Sequence, residues 1–221
     1  MSTLMSAPLA PLLDRLFADA LASEAAMAPI LAEIPPDERR GMMTSKTEYR
    51  QLYARMKHVH LAVSRQTGTL LYMLARSTGA RTVVEFGTSF GISTLHLAAA
   101  LRDNGGGRLI TCEFEPSKAV AARENFAAAG LADLIDLREG DGLETLARDL
   151  PDQIDLVLLD GAKGLYPAIL ALLEDRLRPG AVILADNADW SAEYLARIRA
   201  PGGGYLSVPF GDDVELSMRL G

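Results

Sequence analysis

The sequence predicts an α/β protein: a doubly wound, mainly parallel sheet with helices on both faces. Three observations carry this. From Arg81 onward, short apolar runs alternate with helix-length segments, the pattern of strand–helix–strand units. The strand-like runs are apolar throughout, as strands covered on both faces are. The tail then changes character. Two runs, 205–209 and 214–220, are joined through Gly211-Asp212-Asp213 and read as an antiparallel hairpin closing the sheet.

The elements follow in order. Residues 11–32 read as an amphipathic helix, with Leu12, Leu13, Leu16, Phe17, Ala20 and Leu21 at spacings of one face. Ile34-Pro35-Pro36-Asp37 ends it. Residues 69–76 read as a helix stopped near Gly79, a glycine suited to the left-handed position after a helix. Thr82–Phe86 is the first strand, the segment from Gly87 to Gly91 a turn, and 92–101 a helix. Arg108–Glu113 is the second strand. A helix over 116–129 is opened by Pro116, whose ring suits the first helical position, and stopped by Gly130. Residues 134–137 form a third strand, followed by Gly140-Asp141-Gly142 and a short helix. Ile154–Leu159 is the fourth strand, with a helix near 167–176. Pro179-Gly180 turns the chain into a fifth strand over 181–185.

Composition narrows the class. Of 221 residues, 49% are hydrophobic and 23% charged, which excludes wholesale disorder. No apolar run approaches the roughly 18 residues that span a bilayer, so no membrane partner is expected. The N-terminus lacks the features of a secretion signal, and the single cysteine, Cys112, excludes an internal disulfide. A cytoplasmic location is expected. The net charge of −7 argues against a generic grip on nucleic acid. Residues 39–65 nevertheless hold seven cations (Arg39, Arg40, Lys46, Arg50, Arg55, Lys57 and Arg65) against Glu48 alone. That strip either meets an anion or is a solvated helix face. Residues 1–60 are expected to form an N-terminal helical extension acting as a lid or dimerisation element, and 61–221 the sheet domain.

In such a sheet, ligands sit beyond the carboxyl ends of the strands. The first strand runs into Gly87-Thr88-Ser89-Phe90-Gly91. A dinucleotide fingerprint would place a second glycine where Ser89 stands. The same residues spell the G-x-S-x-G nucleophile elbow, but its base is missing: His58 and His60 precede the serine and His96 lies in the helix after it. The third reading is a loop for S-adenosylmethionine (SAM), which has no phosphate and needs small residues near its methionine moiety. Glu113, ending the second strand, would accept hydrogen bonds from both ribose hydroxyls. Gly140-Asp141-Gly142 fits an adenine-side turn or a plain loop.

Asp160 closes the fourth strand and Asp186-Asn187 the fifth. Two carboxylates and an amide oxygen are hard donors suited to Mg²⁺ or Ca²⁺. Capping of the following helices accounts for one or two of them without a metal. Lys163, three residues after Asp160, projects into the same mouth; beside a divalent cation its pKa should fall, making it a candidate base.

With these residues in view, the chain resembles the metal-dependent O-methyltransferases of the catechol and caffeoyl-CoA type. The matching segments are 83–98 (VVEFGTSFGISTLHLA), 110–116 (ITCEFEP), 140–146 (GDGLETL), 155–166 (DLVLLDGAKGLY), 177–190 (LRPGAVILADNADW) and the hairpin 208–216. The resemblance implies a Rossmann-like, seven-stranded sheet with a reversed last strand. By position, it implies that Asp160, Asp186 and Asn187 hold the metal (Mg²⁺, with Ca²⁺ or Mn²⁺ as alternatives) and that Lys163 is the base. Glu85, Gly87, Ser89, Ser93, Glu113, Asp141 and Gly142 would line SAM, with Asp160 beside it and Val63 covering the methionine end. Glu215 is the one candidate for an acid orienting the acceptor. The expected reaction is methyl transfer from SAM to a hydroxyl of a small aromatic vicinal diol. A tRNA hydroxylated-base methyltransferase and a non-catalytic SAM- or nucleotide-binding module are the alternatives. The resemblance also implies a homodimer, and the apolar stripe of the first helix must pack on its own sheet domain or on a second subunit.

Overall fold

The computed structural model describes residues 2–211 and 213–221, without the side chain of Asp37. Asp212, in the predicted hairpin turn, lies outside the described residues. Seven strands, β1 (Thr82–Phe86), β2 (Arg108–Glu113), β3 (Ile135–Glu139), β4 (Ile154–Leu159), β5 (Leu177–Ala185), β6 (Tyr205–Phe210) and β7 (Val214–Arg219), form one sheet in the order β3-β2-β1-β4-β5-β7-β6. Neighbours from β3 to β5 pair in parallel, and β7 runs antiparallel to both β5 and β6. The expected seven-stranded, doubly wound sheet with a reversed last strand is the fold. Its order reverses between β1 and β4, so the carboxyl ends of those two strands frame the crevice.

The helices among the described residues are α1 (Leu9–Ala32), α2 (Pro36–Thr44), α3 (Tyr49–Arg55), α4 (Arg65–Ser77), α5 (Ile92–Asp103), α6 (Pro116–Ala128), α7 (Gly142–Thr145), α8 (Tyr166–Leu173) and α9 (Ala192–Ile198). Strand residues alternate between two apolar layers. Val83, Leu109, Leu158 and Leu184 meet α1, α4, α5 and α6; Val84, Ile110, Val157 and Ile183 meet α8 and α9. The stripe of α1 is resolved here. Leu9, Leu12, Leu13, Leu16 and Ala20 are buried in the first layer of their own chain. Phe17 packs against the same layer, and Leu21, at the end of the stripe, is left exposed. The second half of α1 joins α2 and α3 around a separate small cluster of Ile34, Met42, Leu52, Met56 and Val59, with Met27 and Leu31 packed against it. These three segments form a cap.

Several features differ from the sequence reading. The helix expected from 69 starts at Arg65, because Ser64 accepts a hydrogen bond from the Thr67 amide and caps it. The cationic strip folds into α2 and α3. The helix expected near 167–176 ends at Leu173 and closes in a 3₁₀ turn. Strand β5 begins at Leu177 and passes through Pro179-Gly180: Ile154 faces Leu177 but Leu156 faces Val182, so the intervening residues bulge out. Pro179 has no N–H for the ladder and Gly180 sits at φ +80°, which together make the bulge.

Glu215 on β7 is not an acceptor-orienting acid. It is 1% exposed and paired bidentately with Arg199, at 2.7 and 2.5 Å, with the Ser207 hydroxyl donating to it at 2.5 Å. Arg199 holds its carboxyl below the usual carboxylate range. The unfolded chain takes up this proton near pH 4.5 and the native one does not, so the pair's stabilisation is present above that value and lost as pH falls through the lower native one. Arg199→Met should destabilise the protein by about 2 kcal/mol at neutral pH, less than for a wholly enclosed pair because Arg199 is half exposed. The deficit should shrink below about pH 4.5, where the stranded carboxyl is neutralised. Urea melts across pH read both.

Candidate functional site

Strand β1 delivers the loop at the crevice. Gly87 has φ +102°, and a Cβ there would lie 2.7 Å from the Asp160 carbonyl oxygen and 2.8 Å from the Gly161 nitrogen. Only glycine lets the end of β1 run this close to the end of β4, where the Asp160 amide bonds the Phe86 carbonyl at 2.8 Å. Ser89, where a dinucleotide fingerprint has its second glycine, adopts the left-handed conformation a glycine would, at φ +49°. Its amide donates to Glu113 Oε2 at 2.7 Å, and its hydroxyl is buried without a partner. The Glu115 amide holds the other Glu113 oxygen at 2.8 Å. Burial pushes the Glu113 carboxyl up in pKa, against these amides and the nearby Lys118 charge. Each oxygen keeps a lone pair for a further donor.

Gly87, Ser89, Glu113, Asp141, Gly142 and Asp160 line one narrow cleft of about 70 Å³. Val63 and Ser93 line an adjoining recess that Ser89 shares. Glu85 stands apart from both. It is fully buried beneath the loop, where Ser93, Thr94 and Thr111 each donate a hydroxyl to it at 2.5–2.6 Å. Burial pushes its carboxyl up in pKa, against these hydroxyls. It holds the loop from below.

The cleft also uses residues that the sequence reading did not select. Tyr49 and Tyr53 of α3 and Lys118 of α6 line it. Arg50 reaches Asp141 at 2.5 Å, and the Tyr49 hydroxyl donates to the same oxygen at 3.3 Å. Asp141 meanwhile caps α7 through the Leu143 amide. The spacing of Tyr49, Arg50 and Tyr53 on one short helix was the available signal. Three cations of the strip, Lys46, Arg50 and Arg65, pair with Glu193, Asp141 and Asp14.

On the far side of Asp160 lies a cavity of about 560 Å³. Asp160, Lys163, Asp186, Asn187 and Asp213 gather at one end of it, and Tyr53, Leu61 and Asp160 line both this cavity and the narrow cleft. Lys163 is 4% exposed, with Nζ 3.1 Å from Asp160 and 3.8 Å from Asp186. It donates to the Tyr166 hydroxyl at 2.9 Å, which in turn lies 2.8 Å from the carbonyls of Leu159 and Asp186, tying the ends of β4 and β5 together. Tyr166 falls three residues after Lys163, a spacing that puts both on one turn. Gly164 makes room for the cap: a Cβ there would collide with the Thr44 carbonyl.

Burial pushes the Asp160 carboxyl up, and burial together with Asp160 pushes Asp186 up to about 8. Burial alone would lower the Lys163 pKa, but the Tyr166 phenol and the two carboxylates outweigh it and hold the ammonium well above its usual value. The expected fall is thus reversed while the carboxylates have only the lysine for a countercharge. Among the described residues, no three acidic, histidine or cysteine side chains converge as a metal cage. The hard donors at the mouth are two carboxylates and the amide of Asn187, which is held in the left-handed conformation at φ +47° and bonded to Asp213 at 3.1 Å. Two carboxyls and an amide oxygen on one wall, with open positions left over, fit a divalent cation, whose charge would also keep both carboxyls ionised.

Residues 41–200 match the family described as O-methyltransferase. Over 127 residues the chain is 39% identical to the catechol O-methyltransferase of Mycobacterium tuberculosis; the match covers 58% of this chain and 57% of that protein. The chain thus spans under three-fifths of that relative's length. The O-methyltransferase TomG of Streptomyces achromogenes, solved in complex with SAM, superposes with a TM-score of 0.66 at 27% identity, covering 85% of this chain and 92% of that one. An O-methyltransferase of Bacillus cereus, solved with SAH, gives 0.68 at 24% identity over 93% and 100% of the two chains, a likeness of fold. The sheet order, the acid ending β2 and a match across most of the chain agree: the protein belongs to the O-methyltransferase family.

Proposed function

We propose that the protein transfers the methyl group of SAM to one hydroxyl of an aromatic vicinal diol, with a divalent cation, Mg²⁺ first, at the mouth. The observation that carries this is the junction at Asp160, where a cleft ending on Glu113 and a cavity ending on Lys163 share a wall. SAM binding is supported by the SAM-bound relative, and the small-molecule acceptor by the catechol methyltransferase relatives. Glu113 receives the ribose hydroxyls, Asp141 and Gly142 border the adenine, and Ser89, Ser93 and Val63 take the methionine end. Asp160, Asp186 and Asn187 would hold the cation, which when bound supplies Lewis-acid stabilisation of an oxyanion. With the cation as the carboxylates' countercharge, Lys163 would give up its own proton to solvent, and its neutral Nζ would then take the hydroxyl proton. The oxygen then forms its bond to the methyl carbon as the carbon–sulfur bond breaks, leaving a neutral thioether. Holding both reactants at one junction supplies much of the acceleration.

Transfer of tritium from methyl-labelled SAM to catechol tests the reading. Activity that survives excess chelator removes the cation, and no transfer to any diol removes the acceptor class. Arg50→Ala should raise KM for SAM about threefold with little change in kcat, since it loosens an exposed contact at the cofactor end.

Assembly as a homodimer belongs to the same proposal. The hairpin supports it: Leu206, Val208, Phe210 and Met218 are exposed on one face, with Leu206 opposite Met218. A contiguous apolar face suits a two-fold contact. Light scattering should give twice the chain mass, and Val208→Asp should return it to one. A monomeric wild-type protein at micromolar concentration removes the dimer.

A further inference from the structure

The large cavity exceeds what the proposed reaction needs. A single ring with two hydroxyls fills a fraction of about 560 Å³, a volume within the roughly 300–1,000 Å³ that encloses drug-sized ligands. Polarity within it is uneven. The carboxylates, Lys163 and Asn187 gather at the sheet edge. Away from them, the apolar walls given by the second half of α1, by α3 and by the residue after it are Met27, Leu31, Leu52 and Met56, with Met43 of α2. Three of these five are methionines, whose unbranched thioethers adapt to irregular ligands. The charged side chains among the outer lining are Glu24 and Arg65, and Arg65 is already paired with Asp14 and lies over the Phe17 ring.

We infer that the acceptor is a vicinal diol whose aromatic ring carries a long, uncharged apolar substituent, seated between α1 and α3. The inference rests on the proposed function for the ring end and adds the tail. An apolar wall of this extent gains free energy only against apolar surface, and the polar end fixes which end of the ligand reaches Lys163. The cap is then a specificity element, since it supplies most of the tail's surroundings.

The test is a series of catechol, propylcatechol and hexylcatechol, assayed with SAM and Mg²⁺, with the melting temperature of the protein read beside each acceptor. A buried methylene is worth about fourfold at most. After the losses that accompany ordering a chain, kcat/KM should rise at least about tenfold from catechol to hexylcatechol, chiefly through KM, with a graded rise in melting temperature. Met27→Trp, on the partly exposed side of α1, should lower the hexylcatechol-to-catechol ratio by about tenfold. Met43→Trp gives a second reading of the same ratio should the first variant fold poorly. Turnover of catechol with no gain along the series overturns the tail and leaves the proposed reaction standing. A graded melting temperature without turnover of any member removes the reaction and keeps the ligand class. No gradation in either measurement, or preference for a hexyl chain ending in an ammonium or carboxylate, overturns the inference.

Discussion

Lys163→Met is expected to lower turnover by about 10²–10⁴-fold, the range for removing a positioned proton acceptor. The same change should lower stability in the absence of added cation. Lys163 is the buried countercharge at 3.1 and 3.8 Å from Asp160 and Asp186, and methionine leaves both carboxylates facing each other. Mg²⁺ should therefore raise the melting temperature of the variant more than that of the wild type. The deficit should narrow as pH falls, because the stranded carboxyls are neutralised. Lys163→Arg separates the two roles: it restores charge and much of the stability, but a guanidinium does not give up its proton, so turnover stays low. Wild-type turnover in the methionine variant would remove Lys163 from the proton transfer.

Gly87→Ala carries the second large effect. An alanine at φ +102° is strained by about 1–3 kcal/mol before any contact is counted. Its Cβ would then press on the backbone of Asp160 and Gly161, which directly follows the buried end of β4 and is tied to Phe86 by the Asp160 amide. A loss of about 3 kcal/mol or more is expected in urea melts. Turnover should fall further than folding does, because the atoms displaced carry Asp160. Gly130→Ala is the control. It also has positive φ, at +67°, but meets nothing within 4 Å, so it should cost about 1 kcal/mol and leave turnover intact.

Strands β1, β2 and β4 were legible to the residue, because each is a short apolar run covered on both faces and bounded by polar or glycine residues. The residues that end or follow them, Gly87, Glu113 and Asp160, were legible for the same reason: the ligand edge of a parallel sheet is where its strands end. Asp186 and Asn187 were found through their strand although the start of β5 was misplaced at Pro179-Gly180. The cap was not legible. The strip 39–65 is dominated by cations, and what folds it into α2 and α3 is tertiary: Met42 and Leu52 bury against α1, and Arg50 and Tyr49 find Asp141 about ninety residues away. Glu85 shows the limit of reading a site by position. Its carboxylate is engaged by Thr111 because the two sit opposite each other in the β1–β2 register, and by two hydroxyls of α5, so it props the loop rather than lining the cleft. The direction of the Lys163 shift likewise depends on a charge balance that spacing alone does not give.

The small cluster beneath α2 and α3 gives the molecule two tiers of durability. Tyr49 and Tyr53 of α3 line the narrow cleft, and Arg50 and Tyr49 are bonded to Asp141 in its wall. Any ligand seated in the cleft therefore touches this tier as well as the sheet edge. Ile34, Met42, Leu52, Met56 and Val59 form a cluster of their own, tied to the sheet where Tyr49 buries in the second layer and Thr44 packs on Gly164. Amide hydrogens of α2 and α3 are expected to trade with solvent before those of β1 and β4, an order that hydrogen exchange reads directly. The exposed Arg50–Asp141 and Lys46–Glu193 pairs should make that exchange answer to ionic strength.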